Sequence, residues 1–427
     1  MVIMIPLTAG RPGTAMRRRY LPALAIILGL ALAACSSSSS TTAGGTPSGA
    51  SSGTSGSATG GDIKVMVIAP FALAVAPAKA NYDAVRIQAA LQNAKGGING
   101  HKIDVIGCDD QSDPNVGAQC AQKAVREHVT ALLGVFTLVS ASIWPVINAA
   151  GIPEIGLVQY GAGDMVSPNS WPLTAPAPVA NATSMGYLAK VKGCKAVADV
   201  QANAGPNSDV PVMLDKQATA AAGAQYVGPF LLPVTQGLAN APAIARSIAS
   251  KADCANIADG QNGIILMKAI LQQDPNFKFA TGQLALPGDW GTQMGQQAGA
   301  LNSIAGLAPD SSTAPGVVAY LAQMKAQASG DTLSDFAKLA WASWYAFAQV
   351  AGTVDGPITA KSLTDALGKA SAVDTQGITP TVDFTKTKSI DAITRVSTTQ
   401  LFVLGATNGN VAQVGNLIDA TAYLPAK

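Results

Sequence analysis

Few side chains in this sequence can do chemistry, and they are widely spaced. Histidine occurs only at His101 and His128, which do not stand at metal-ligand spacing, and no C-x-x-C accompanies them. The patterns G-x-S-x-G, G-x-x-x-x-G-K-[ST] and H-E-x-x-H are absent, so serine-hydrolase, phosphate-cradle and zinc-peptidase chemistry lack their parts. Two imidazoles away from the predicted loop ends leave little general-base capacity. We therefore expect a binding protein without enzyme activity, metal or cofactor. The remaining reactive groups are the five thiols of Cys35, Cys108, Cys120, Cys194 and Cys254, whose fate depends on the compartment.

An apolar run fixes that compartment. Leu21 to Ala34 follows Arg17, Arg18 and Arg19 and is 14 residues long, a signal-peptide core rather than the roughly 20 residues that span a bilayer. Met16 serves equally as a start, since residues 1–15 add nothing a signal peptide requires. Leu32-Ala33-Ala34-Cys35 resembles the lipobox of bacterial lipoproteins, which implies removal of 1–34 and a diacylglycerol on Cys35. Residues 35–61 are almost purely Ser, Thr, Gly and Ala and read as a coiled tether with an end-to-end distance of about 30 Å; composition does not decide whether it is O-glycosylated. Beyond it, 48 % apolar content supplies real cores, and 27 basic against 25 acidic residues offer no polybasic surface for nucleic acid.

From Asp62 onward short apolar runs alternate with helical patterns, the signature of βαβ units and parallel sheets. Strands are predicted at 63–68, 102–107, 131–135 and 152–157, with helices at 79–95, 114–128 and 142–150 between them. Asp113-Pro114 supplies an N-cap and a favourable first helical residue. The Pro-rich stretch Trp171 to Pro178 reads as irregular structure dividing two βα series. The second series has predicted strands at 195–200, 225–232, 254–258 and 277–281 and helices at 210–223 and 263–272. Long helices follow at 316–327 and 333–351, then short antiparallel strands. In the helix at 333–351, Phe336, Ala340, Trp344, Phe347 and Ala351 share one face, ordinarily core, with a ligand-stacking surface as the alternative.

Asn93 to Asn115, NAKGGINGHKIDVIGCDDQSDPN, resembles the first-lobe signature of the leucine/isoleucine/valine-type (type I) periplasmic binding proteins. The likeness continues through Leu132-Leu133-Gly134, Ala150 to Pro153 and Leu173 to Pro176. It implies an α/β fold of two lobes, each a mostly parallel sheet flanked by helices, joined by three crossings, the second near Leu307–Thr313 and the third near Asp374–Gly377. Lobe 1 is then 62–175 with 308–373, and lobe 2 is 176–307 with 374–427. The implied function is an extracytoplasmic, lipid-anchored receptor that delivers a small molecule to ABC permease subunits. A sensor reporting ligand to a membrane kinase or envelope enzyme is the alternative.

In such sheets ligands bind beyond the carboxyl ends of the strands, near helix N-termini. The resemblance places a carboxylate contact among Thr137, Ser140 and Ser142, where Ser140 could equally cap the next helix, and a second contact at Gln159 and Tyr160. Where family members hold an α-ammonium just beyond the first crossing, this sequence has Ala177-Pro178; the family's second acid falls near Asp259, with Gln261 and Asn262 nearer the expected place. Burying an ammonium without a counter-charge is costly, so the expectation is a carboxylate-bearing or neutral, partly apolar solute held also by Phe71, Tyr160 or Trp290, with leucine, isoleucine and valine binding weakly. In an exported chain the other four cysteines read as two disulfides. Three pairings exist, and one pair within each lobe, Cys108–Cys120 and Cys194–Cys254, is topologically simplest.

Overall fold

The computed structural model describes residues 61–425 apart from 73–76, 158, 204, 234–236, 283–285 and 332, with the side chains of 162, 206 and 207 also outside the description. The signal peptide, Cys35 and the tether lie outside the described residues. Elements run in the order β1 (Ile63–Ala69), α1 (Lys79–Ala94), β2 (Ile103–Asp109), α2 (Pro114–Arg126), β3 (Ala131–Leu133), α3 (Ser140–Ala150), β4 (Glu154–Ile155), α4 (Ala162–Val166) and β5 (Ser170–Trp171). Next come α5 (Ala177–Lys190), β6 (Ala196–Ala202), α6 (Asp209–Ala221), β7 (Gln225–Leu232), α7 (Ala241–Ala249), β8 (Cys254–Ala258), α8 (Gly260–Leu271), β9 (Lys278–Thr281), α9 (Trp290–Met294) and β10 (Leu301–Ala305). The chain ends with α10 (Pro315–Gln327), α11 (Asp335–Ala351), α12 (Ala360–Leu367), β11 (Lys388–Ile390), β12 (Ile393–Val396), β13 (Gln400–Thr407), β14 (Asn410–Gln413) and β15 (Ile418–Asp419).

Two sheets result. The first has the order β2-β1-β3-β4-β5, all parallel. The second has the order β14-β13-β10-β9-β8-β6-β7, with β15 on β13; its β7, β6, β8, β9 and β10 are parallel and its β13, β14 and β15 antiparallel. Central β1 is apolar on both faces and almost fully buried, as a parallel strand covered by helices must be. Helix α2 starts as its sequence dictates, with Asp113 accepting from the amides of Asn115 (2.7 Å) and Val116 (3.1 Å) ahead of Pro114. Among the described residues no helix is long and apolar enough to cross a membrane.

Helix α11 belongs to the core under the first sheet, burying Ala340, Trp344, Phe347 and Ala351 of the predicted face together with Trp341, while Phe336 in its first turn is half-buried with its ring 4.1 Å from that of Phe136. Its close approach needs glycine at 134, where φ is +56° and a Cβ would lie 2.3 Å from that of Ala340. Three expectations need correction. The Pro-rich stretch is not wholly irregular: Trp171 ends β5, and Ala177-Pro178 open α5, because a helix's first turn does not require proline's missing N–H. Strands β3 and β4 are shorter than their apolar runs, the chain bending away at Gly134 and Gly156. Helix α3 starts at Ser140, which is therefore its first residue; Val139 occupies the cap position and Ser140 does not cap.

Candidate functional site

The loops at the carboxyl ends of β3 and β4 carry the hydroxyl and amide groups singled out in the sequence. Thr137 is buried, donates its hydroxyl to Asp110 Oδ2 (2.5 Å) and accepts the amide of Val139 (3.1 Å). Ser142 donates to the carbonyl of Val139 (2.8 Å). Ser140 hydrogen-bonds to Asp164. All three hydroxyls therefore shape the turn leading into α3, with Asp110, fully buried and raised above the ordinary aspartate range by that burial, as an anchor the sequence reading missed.

The loop after β4 is built in the same way. Gln159 is buried, its Nε2 donates to the carbonyl of Asp164 (3.2 Å), and its Oε1 has no partner. The amides of Tyr160 (3.3 Å) and Gly161 (2.7 Å) both donate to Asp164 Oδ2. Tyr160 is half-buried, and its hydroxyl is pushed up first by burial and then by the charge of Asp259. The structure thus brings a side chain from the end of the first sheet into electrostatic reach of one from the end of the second.

On the second sheet Asp259 precedes α8 in an extended conformation, does not cap it, and has Oδ2 buried without a hydrogen-bond partner. Burial alone raises its pKa to about 6. Gln261, which the sequence reading set nearer the expected position, is exposed and exchanges amide hydrogen bonds with Gln293. Trp290 is 4 % exposed, packs in the core of the second sheet and lines a separate cavity of about 310 Å³ with Lys338 and Asp310. Phe71 stands at the end of β1, its amide donating to Asp109 (3.0 Å) and its ring beside Tyr82. Ala177 and Pro178 are buried in the first turn of α5 and present no charge.

Both disulfides are formed, Cys108–Cys120 and Cys194–Cys254, with Cα–Cα distances of 5.8 and 6.0 Å. Among the described residues, Cys194, Asp253 and Cys254 are the one grouping with three potential metal-ligand atoms together, and both its sulfurs are spent in a bond. His101 and His128 line a cavity of about 660 Å³ that includes Ile63, Thr130 and Ile152, at the amino ends of the strands and so away from the loops above.

Residues 62–401 match the family described as periplasmic binding protein. Comparison with curated proteins gives no match. Solved structures with the same fold include the fatty acid ABC transporter substrate-binding protein of Thermomonospora curvata (14 % identity, 84 % of this chain and 92 % of that one, TM-score 0.69). The solute-binding protein of an R. palustris ABC transporter in complex with benzoate is similar (17 % identity, 84 % and 98 %, TM-score 0.64), as is LivJ of Streptococcus pneumoniae in complex with isoleucine (16 % identity, 84 % and 99 %, TM-score 0.64).

Proposed function

The chain belongs to the periplasmic binding protein family, and on that premise we propose that it is an extracytoplasmic receptor, anchored through lipid on Cys35, that closes two lobes on a small solute and hands it to ABC permease subunits. The lobes are 62–175 with 308–373 and 176–307 with 374–427. The solute site is the loop entering α3, which Thr137, Ser140 and Ser142 hold in shape, together with Gln159, Tyr160 and Asp259, whose charge reaches Tyr160.

Asp259 carries this reading. A carboxylate with one oxygen buried and unpartnered is unfavourable unless something pairs with it, and Tyr160, which its charge reaches, is a neutral group. Ala177-Pro178 argue for a solute without an ammonium; Asp259 argues for one with it, and Asp259 is the group whose geometry asks for a partner. We therefore favour an amino-acid-like solute whose ammonium meets Asp259 and whose carboxylate meets the loop entering α3.

Calorimetry with isoleucine and its 2-oxo analogue, in which a carbonyl replaces the ammonium, tests this. Isoleucine should bind at least tenfold tighter, a difference of about 1.4 kcal/mol, and Asp259→Asn should remove the preference. Because the raised carboxyl of Asp259 neutralises below about pH 6, isoleucine binding should weaken as pH falls through that value. Tighter binding of the oxo acid would return the reading to a solute lacking an amine. The anchor is tested separately: Cys35→Ser should move the protein from the membrane to the soluble fraction, and unchanged detergent partitioning of the processed chain would exclude lipidation.

A further inference from the structure

Asp164 is a fully buried carboxylate surrounded by four donors and no cation. Trp144 Nε1 donates to Oδ1 (2.6 Å), the amides of Gly161 (2.7 Å) and Tyr160 (3.3 Å) donate to Oδ2, and the Ser140 hydroxyl adds a further bond. Two of these donors come from α3 and two from the loop carrying Gln159 and Tyr160. Gln159 closes the turn by donating to the backbone carbonyl of Asp164. The fit between loop and helix is close, since a Cβ on Gly161 would lie 2.6 Å from Ser140 Oγ. An ionised carboxylate only accepts, so it satisfies all four donors together. A protonated acid, or an asparagine, brings hydrogens of its own into a ring of donors and must break one of these bonds.

The neighbouring charges assign the anion. Glu154 on β4 is also fully buried, has Ser170 Oγ at 3.4 Å on one oxygen and no partner on the other, and is raised well above the carboxylate range by burial and then by Asp164. Glu154 is therefore the neutral member. Asp164, raised to about 6 by burial and held down by its donors, is the one that ionises near neutrality. Arg395 on β12, the strand packed against α4, donates from Nε to the Ser170 carbonyl (2.6 Å) and lies over the Trp171 ring (4.4 Å), while its Nη2 is buried without a partner. From the start of α8, the charge of Asp259 also reaches Tyr160.

We propose that Asp164, as an anion, is the positioning residue of the 159–161 loop, and that its protonation or replacement by asparagine frees that loop and with it the solute. The statement about the solute rests on the function proposed above; the statement about the loop does not.

The test uses the full chain, ¹⁵N-labelled and without ligand. The Trp144 indole N–H and the amides of Tyr160 and Gly161 should titrate together with one midpoint near pH 6. In Asp164→Asn that common titration should vanish, and amide exchange at 160 and 161 at pH 7.5 should rise at least tenfold. If Asp164→Asn does not fold, Ser140→Ala keeps the test, because losing one donor to the anion should move the midpoint upward. Resonances that stay flat from pH 4.5 to 8, or an unmoved midpoint in Ser140→Ala, overturn the proposal. For capture, isoleucine affinity at pH 7.5 should fall at least tenfold in Asp164→Asn and recover in part in Asp164→Glu; equal affinities overturn the solute half. Isoleucine that binds no form of the protein sinks the proposed function, while the spectra still decide the loop.

Discussion

Asp199 and Asp215 place a second pair of buried acids behind the other sheet. Gln201 Nε2 donates to both (2.9 and 2.8 Å), and the Tyr226 hydroxyl donates to Asp199 (2.7 Å). Burial raises both carboxyls, and the charge of Asp199 raises Asp215 further. A carboxyl whose folded pKa lies above its unfolded one binds more protons in the native state. Its contribution to stability is therefore greatest in acid and is lost as pH rises from the unfolded aspartate value, near 4, toward the raised folded one. Each tenfold difference in proton affinity is worth about 1.4 kcal/mol. Asp215→Asn keeps an acceptor for Gln201 and offers Asp199 an N–H, so it should fold. Urea unfolding at pH 5, 6 and 7.5 should show the wild type gaining more on acidification than this variant. Identical pH slopes would mean that the pair carries no extra proton in the native state.

At the scale of elements, legibility followed the strength of the local pattern. Strands β7 and β8 coincide with their apolar runs, and α2 was fixed by Asp113-Pro114. Helix α5 escaped because its Ala, Thr, Ser, Gly, Met and Leu residues are buried almost all round, leaving no 3.6-residue alternation to detect. Short α7 and β10 gave no signal either. The loops of the candidate site were legible because strand ends and a family likeness point to the same places. What lies behind them was not: Asp110 and Asp164 look like ordinary loop acids in sequence, and only tertiary packing turns them into buried acceptors. Asp259 and Gln261 lie two residues apart at the start of α8, a rotation of about 200° around a helix, so which of them faces inward depended on where the helix begins. The disulfides were legible from compartment and topology together. By the chain-entropy model their closed segments, separated by 12 and 60 residues, contribute about 3 and about 4 kcal/mol.

At the scale of the whole molecule, the chain passes between the two large sheets after β5, after β10 and after α12, and the last two of these passages are hydrogen-bonded to each other. The amide of Ala308, after β10, donates to the carbonyl of Ile378 (2.8 Å), and that of Gly316, in the first turn of α10, donates to Gln376 (2.9 Å). Gly316 is there because there is no room for more: a Cβ would lie 2.7 Å from the Thr375 carbonyl oxygen, 2.8 Å from Ile378 Cγ1 and 3.0 Å from the Gln376 carbonyl oxygen. Two of those atoms are backbone and cannot turn aside as a side chain would. Gly316→Ala must therefore drive the two joining segments apart, and overpacking of this kind costs about 1–3 kcal/mol. Helix propensity works the other way by up to about 1 kcal/mol, which leaves a net loss only if the lacing is rigid. Gly330→Ala is the control, since nothing lies within 4 Å of the added methyl. Urea unfolding should place Gly316→Ala below the wild type and Gly330→Ala level with it. Under the proposed function, in which a solute draws the lobes together by bending these segments, small-angle scattering with isoleucine should show less compaction in Gly316→Ala alone, where the added methyl has already displaced them.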